Sequence, residues 1–321
     1  MDLRLPPAGP AGGSRSDRAA APAHALHLRE LLADFMARSA AGRLPVRVGQ
    51  AGDLSSRGEG HFHLAPELFL QVSGWTQFRF PQAELTLAPG EALVLPPKLL
   101  HAERVRAGGP EAPFCNVVIY ADGPALSCHL AHEARPGKPG ILHLEACHHP
   151  QAARIHDWLS DAARLAQPAS PTRARDASDV ARAAAQVRAL VSAATAGVLR
   201  ALDDADPAAA SEPALVARLR VLVKNQLADH RLSVRGLAQQ SGCTADYLSH
   251  RFSQLAGERL VAYITRLRME RAARLLREST MAGKEVAWAC GFATQSYFIR
   301  SFRAHYGVTP KDWRAGHDVP D

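Results

Sequence analysis

The last hundred residues carry one pattern twice, and a repeat of that size constrains the fold more than any other feature of the 321-residue chain. Leu237-Ala238 is followed by Gly242-Cys243-Thr244, then Tyr247-Leu248 and Phe252; Val286-Ala287 is followed by Gly291-Phe292, then Thr294, Tyr297-Phe298 and Phe302. Each copy joins a short apolar helix, a glycine at which positive φ costs little, a threonine suited to capping, and a second helix with an aromatic-aliphatic pair. That is the pattern of a helix-turn-helix. The two glycines lie 49 residues apart and the two tyrosines 50, so the second turn is one residue longer. Tyr247, Leu248, Phe252, Tyr297, Phe298 and Phe302 are expected in the core, because apolar residues at i, i+1 and i+5 place one stripe inward. Between the copies, Leu260 to Glu278 has the pattern of a helix, with Leu260, Ile264 and Leu267 on one stripe and five arginines along its length. A helix of that length spans about 28 Å, enough to hold two recognition helices in successive major-groove segments on one face of a duplex. The bland alternative is a helical bundle whose turns and aromatics serve packing alone.

Charge bears on these readings. From residue 213 to the end there are 17 lysines and arginines against 9 acidic residues, a net of +8, whereas residues 1–212 hold 21 against 22. The whole chain's +7 is therefore C-terminal in origin. Clustered basic charge is the electrostatic footprint of a phosphate-backbone binder, although a solvated basic face has the same composition. With 47% hydrophobic and 21% charged residues the chain can bury sizeable cores, and its length points to two domains. It has no uncharged apolar run long enough for a membrane span and no secretory h-region, so a cytoplasmic location with no membrane partner is expected. Five widely spaced cysteines without a C-x-x-C pair argue against a disulfide scaffold or a cysteine zinc finger.

The organisation follows from composition. Residues 1–23, rich in Pro, Gly and Ala, read as a disordered tail. Residues 24–145 read as a β-rich domain with a preceding helix, 146–205 as a helical connector or dimerisation segment, 206–213 as a linker, and 214–321 as a basic all-helical domain that carries the repeat. The Ala-rich helices near 150–166 and 178–202 fit packing against the N-terminal domain and a dimer interface equally well. Short Val-, Leu- and Phe-rich runs between Val46 and Tyr120, separated by Gly and Pro, predict a β-sandwich or small barrel. The fold class is thus multidomain α+β, with a β-barrel plus helices followed by an all-α double helix-turn-helix.

The runs LAQQSGCTADYLSHRFSQLAG, ITRLRMERAARLL and VAWACGFATQSYFIRSFRAHYGVTPKDWR resemble the DNA-binding domain of the AraC/XylS family of transcriptional regulators. The resemblance covers Leu232 to Arg314 and is most specific in its second half. It implies a two-headed reader of double-stranded promoter DNA attached to a ligand-sensing or dimerising domain, with RNA polymerase and a second copy of the chain as further candidate partners. By position, the first recognition helix would present Asp246, Ser249, His250 and Arg251 to base edges, and the second Gln295, Ser296, Ile299 and Arg300. Gln pairs with adenine N6/N7 and Arg with guanine O6/N7, while Ile299 suits a thymine methyl.

In the β-rich half, His61-Phe62-His63, Glu67 and His101 stand out. On a strand, residues two apart face one side, so His61 and His63 would project together, and a barrel would bring Glu67 and His101 to them. Three imidazoles and a carboxylate with open positions form a divalent-metal site. GHFHLAPELFLQVSG resembles the first cupin motif and PGEALVLPPKLLHAE the second; the resemblance puts the family's metal ligands on these four residues, with Lys98 where the second motif usually has glycine. Three uses remain open: polar contacts for an unknown small-molecule effector, a bound divalent metal ion, or turnover as a metal-dependent oxygenase or isomerase carrying a DNA-binding domain. A non-enzymatic, effector- or metal-controlled regulator is the expectation. His129, His132, His143 and the Cys147-His148-His149 run allow a second metal site or ordinary loop polarity.

Overall fold

The structure, a computed structural model, describes residues 15–50, 60–167, 176–205 and 214–316. The first part of the expected tail and the 206–213 linker lie outside the described residues. Helix α1 (Arg15–Ala40) begins well before the predicted start at His24 and is followed by β1 (Val46–Val48), β2 (Glu67–Ser73), β3 (Trp75–Arg79), β4 (Glu84–Leu87), β5 (Ala92–Leu95), β6 (Ala102–Arg106), β7 (Cys115–Asp122), β8 (Ala125–Arg135) and β9 (Lys138–His148). Helices α2 (Gln151–Ala166) and α3 (Ala177–Asp204) complete the N-terminal half. The strands form a six-stranded sheet in the order β1-β5-β2-β7-β8-β9 and a three-stranded sheet in the order β4-β3-β6.

Strand β2 shows how the layers arise. Leu68 and Leu70 share a core with Leu28, Leu32, Ile155, Leu159, Val191 and Val198, so this face of the large sheet is covered by α1, α2 and α3. Phe69, on the opposite face, joins Phe78, Leu87, Leu93 and Val118 in a second core drawn from both sheets. A strand covered on both sides reads as a continuous apolar run rather than an alternation, which is why ELFLQVS is buried over its first five residues. The Ala-rich helices therefore pack on the sheet through their buried faces, with Thr195 bonding back to the Val191 carbonyl at 2.8 Å. All five cysteines are free thiols, with Cys115, Cys128 and Cys290 buried.

The C-terminal part contains α4 (Ala214–Gln226), α5 (Val234–Gln240), α6 (Ala245–Ala256), α7 (Leu260–Glu278), α8 (Gly283–Ala289), α9 (Gln295–Tyr306) and α10 (Pro310–Ala315). Two apolar clusters divide it. Leu237, Leu248, Phe252, Tyr263 and Ile264 centre the first, while Met269, Leu276, Val286, Phe298 and Phe302 centre the second. Helix α7 contributes to both, so it is the beam on which the two halves are built. Among the described residues, no helix is long and apolar enough to cross a membrane.

Candidate functional site

Each helix-turn-helix is set by the same local chemistry. Gly242 and Gly291 both adopt positive φ, +67° and +74°. At Gly291 a Cβ would also collide with the Leu227 carbonyl oxygen, so glycine is required there on two counts. The side chains of Thr244 and Thr294 accept from the backbone N–H groups of Tyr247 and Tyr297, each at 3.3 Å, and so cap α6 and α9. Both helices end at glycines in the left-handed region, Gly257 and Gly307.

Leu248, Phe252, Phe298 and Phe302 are fully buried, as the stripe predicts. Tyr247 and Tyr297 are not: they are 53% and 57% exposed, which corrects their expected place in the core. Consecutive helical residues diverge by about 100°, so a stripe holding Leu248 or Phe298 cannot also hold the preceding tyrosine. On the second recognition helix, Gln295, Ser296, Ile299 and Arg300 are all exposed, with the Arg300 guanidinium 6.0 Å from the Tyr297 ring centroid. On the first, Asp246 and His250 are exposed, Ser249 and Arg251 half-buried, and Arg251 donates to Gln254 at 2.6 Å.

The second constellation lies at the end of the interior between the two sheets. His61 and His63 do not sit on a strand as expected. His61 makes only an isolated bridge to His101, with His61 N donating to His101 O at 2.8 Å and His101 N to His61 O at 2.9 Å. Gly60 permits this approach, since any Cβ there would strike the His101 carbonyl. Glu67 opens β2, and His101 immediately precedes β6.

The four predicted residues do converge. The His61 ring lies 5.0 Å from that of His63 and 4.5 Å from that of His101. Glu67 places its two carboxylate oxygens 3.4 Å from His63 Nε2 and 3.6 Å from His101 Nε2. Glu103 is a fifth member that sequence reasoning missed. Its carboxylate is 3.9 Å from His101 Nε2, and one ligand atom each from His61, His101 and Glu103 lie within 4.8 Å of one another. The signal was the period of two: Glu103 faces the side that His101 faces.

Burial governs the charges here. Desolvation first, then the neighbouring charges, holds His61 and His63 well below the usual imidazole range, and desolvation lowers His101 to about 4. The same desolvation, with repulsion from Glu103, raises Glu67 well above its ordinary value, and desolvation lifts Glu103 to about 7 against the pull of Lys138. Burial thus disfavours the charged form on both sides of the close His–Glu contacts. His101 Nδ1 lies 3.0 Å from the Leu99 carbonyl and is fixed as a donor there, leaving Nε2 as an acceptor aimed into the cluster. The Nε2 atoms of His63 and His101 are buried without a hydrogen-bond partner. Buried imidazole nitrogens without hydrogen-bond partners beside two buried carboxyls fit a divalent cation with nitrogen and oxygen preference.

Among the described residues, the other histidines are not gathered into a metal-binding group. His132 lies 3.1 Å from the Gly140 carbonyl, His143 3.0 Å from Glu145, and His149 accepts from Gln151 N at 3.1 Å. A cavity of about 240 Å³ beside His63 separates the N-terminal half from the helices, lined by Leu64, Tyr120, Asp122, Lys224 and Arg271 among others.

Comparison with known proteins finds that residues 237–316 match the family described as "Helix-turn-helix domain". YpdC of Escherichia coli, an uncharacterized HTH-type transcriptional regulator, is 34% identical over 84 residues, 26% of this chain and 30% of that protein. PqrA of Proteus vulgaris, a probable transcription factor, is 30% identical over 90 residues, 28% of this chain and 74% of that protein. Among solved structures, the C-terminal domain of AraT, a response regulator from Geobacillus stearothermophilus, has 27% identity and a TM-score of 0.34, covering 35% of this chain and 93% of that one. The DNA-binding domain of the global transcriptional factor AdpA, solved with a target DNA, has 27% identity and a TM-score of 0.30, covering 32% of this chain and 90% of that one. The chain therefore spans under a third of YpdC, and the family match lies wholly C-terminal to residue 236.

Proposed function

Because the chain belongs to the AraC family of helix-turn-helix transcriptional regulators, we propose that its two recognition helices read adjacent major-groove segments of one promoter while a cupin-type N-terminal domain holds a divalent cation. DNA binding rests on the matched pair of capped helices α6 and α9, whose outward faces are left to solvent while their inner faces form two separate cores. Asp246, Ser249, His250 and Arg251 face the first half-site in this reading, and Gln295, Ser296, Ile299 and Arg300 the second. Arg300 and Gln295 carry the strongest base discrimination, at about 1–3 kcal/mol for each bidentate pair.

The cation reading rests on one observation: two buried imidazole nitrogens, Nε2 of His63 and of His101, face the Glu67 carboxyl without a hydrogen-bond partner. His61, His63, Glu67 and His101 would hold the ion, with Glu103 as an additional oxygen donor. The ion would supply the positive charge that allows both carboxyls to ionise. The chain's own contribution is to fix the imidazole tautomer through Leu99 and to bring two segments of backbone together at the His61–His101 bridge. Elemental analysis of the purified full chain after expression with Zn²⁺ or Mn²⁺ tests this. One equivalent of metal is expected, lost in a His63→Ala/His101→Ala variant that still binds DNA. Absence of stoichiometric metal in the parent chain overturns the cation reading and leaves the cluster as polar contacts for a small effector.

A further inference from the structure

The two backbone segments that carry the histidines also carry the apolar side chains that join the halves of the molecule. Phe62 lies between His61 and His63; Leu100 immediately precedes His101. The segments are paired as a short ribbon, by His61 and His101 exchanging backbone hydrogen bonds and by Lys98 N donating to His63 O at 2.7 Å. Successive side chains on an extended ribbon point to opposite faces. One face accordingly gathers His61, His63 and His101. The other sends Phe62 and Leu100, 1% and 5% exposed, into the same apolar cluster as Met269 and Leu276 of α7 and Phe298 and Phe302 of α9.

Polar contacts fasten the ribbon to α7. The Arg271 guanidinium stands 3.8 Å over the Phe62 ring, and an Arg271 terminal nitrogen donates to the Phe62 carbonyl at 2.7 Å. Arg271 is only 6% exposed, and what it meets there is a ring and a carbonyl, with its Nε left without a hydrogen bond, so withdrawing Phe62 would strip a buried cation of the compensation it has. About two turns further along α7, Glu278 pairs with Lys98 Nζ at 3.3 Å. Lys98 itself has a φ of +69°, a left-handed conformation uncommon for a non-glycine residue, at the point where the ribbon meets α7.

We infer that this ribbon is the element that couples the His/Glu cluster to the second DNA-reading head, so that a divalent cation among the histidines and DNA on α9 are linked through Phe62 and Leu100. The inference rests on the cation reading above. Any shift of His61 or His63 on ligation moves Phe62, because the three are consecutive and the chain is pinned at the bridge. Phe62 shares a packed core with the inner face of α9, and close-packed interiors transmit such displacements instead of absorbing them. Linkage is reciprocal: whatever factor the cation imposes on DNA affinity, DNA imposes on cation affinity.

The test uses the full chain, Zn²⁺ or Mn²⁺ alone as the probe, and a duplex selected from random sequence. DNA affinity is measured by fluorescence anisotropy with and without the cation, and cation affinity by calorimetry with and without the duplex. In the parent chain both affinities are expected to change by the same factor, of about fivefold or more. In Phe62→Leu and in Arg271→Lys, each shown to be folded by its thermal transition, the cation still binds but the factor falls toward one. Cation binding with no effect on DNA affinity in the parent chain overturns the coupling and leaves the cation site standing, as does a factor that survives unchanged in both variants. Failure of the parent chain to bind any cation instead removes the reading on which the coupling rests, and the coupling with it.

Discussion

Tyr247 and Tyr297 occupy one position in two copies of the same device: each donates its backbone N–H to a capping threonine three residues earlier and turns its side chain to solvent. In the proposed mode of DNA reading, this pair of large rings left outside at matched places on α6 and α9 belongs to the surface that would meet the duplex. Tyr297→Ala is expected to leave stability within about 0.5 kcal/mol, as for surface substitutions generally. Its DNA affinity should drop by about 1 kcal/mol, the worth of one hydrogen bond. Phe298→Ala, one residue further on, should cost about 3–5 kcal/mol of stability. Urea melts and binding curves on the same preparations check both, and a destabilised Tyr297→Ala chain would return that ring to the core.

The N-terminal half should lose stability on mild acidification. Burial pushes His129 down to about 4 from 6.5, so between those values the unfolded chain holds a proton that the folded chain does not, and stability declines as pH falls through that window. His61, His63 and His101 act in the same direction. Replacing His129 by Leu should remove up to about 3 kcal/mol of the loss. Urea midpoints between pH 7.5 and 4.5 give the comparison; parallel pH profiles for the two chains would contradict the assignment.

Lys98 combines a left-handed backbone with an ion pair to Glu278. A non-glycine residue in that conformation costs about 1–2 kcal/mol, while a partly exposed pair contributes about 0–1 kcal/mol. Lys98→Gly should therefore melt at or above the parent temperature. Lys98→Ala, which loses the pair and keeps the conformational cost, should melt below it. Calorimetric scans showing the glycine variant to be the less stable of the two would place the value of Lys98 in its contact with α7.

The reader of DNA was legible in the sequence because its determinants are local. A glycine for the turn, a threonine for the cap and aromatics at fixed offsets each act within a few residues, and the predicted bounds of the helix Leu260–Glu278 coincide with those of α7. The tyrosines were misplaced because the sequence pattern joins neighbours that a helix separates. In the β half, β2 to β5 and β7 stood out as apolar runs, whereas β8 and β9 are rich in Ala, His and Glu and were not anticipated, although Leu126, Cys128 and Leu130 keep a buried alternation. Glu103 was hidden because one carboxylate on a strand looks like any solvated residue until the partner strand is known. The contact of Phe62 with Arg271 spans 209 positions and has no local signature at all.

The central claim is that α9 reads base edges through Arg300, and competition binding measures it directly. The full chain and Arg300→Ala are compared on a selected duplex and on random DNA of equal length, at two salt concentrations. The account predicts a loss of about 1–3 kcal/mol on the selected duplex at one base pair, with affinity for random DNA reduced far less. Equal losses on both duplexes, accompanied by a shallower salt dependence, would show Arg300 to be a phosphate contact and contradict it.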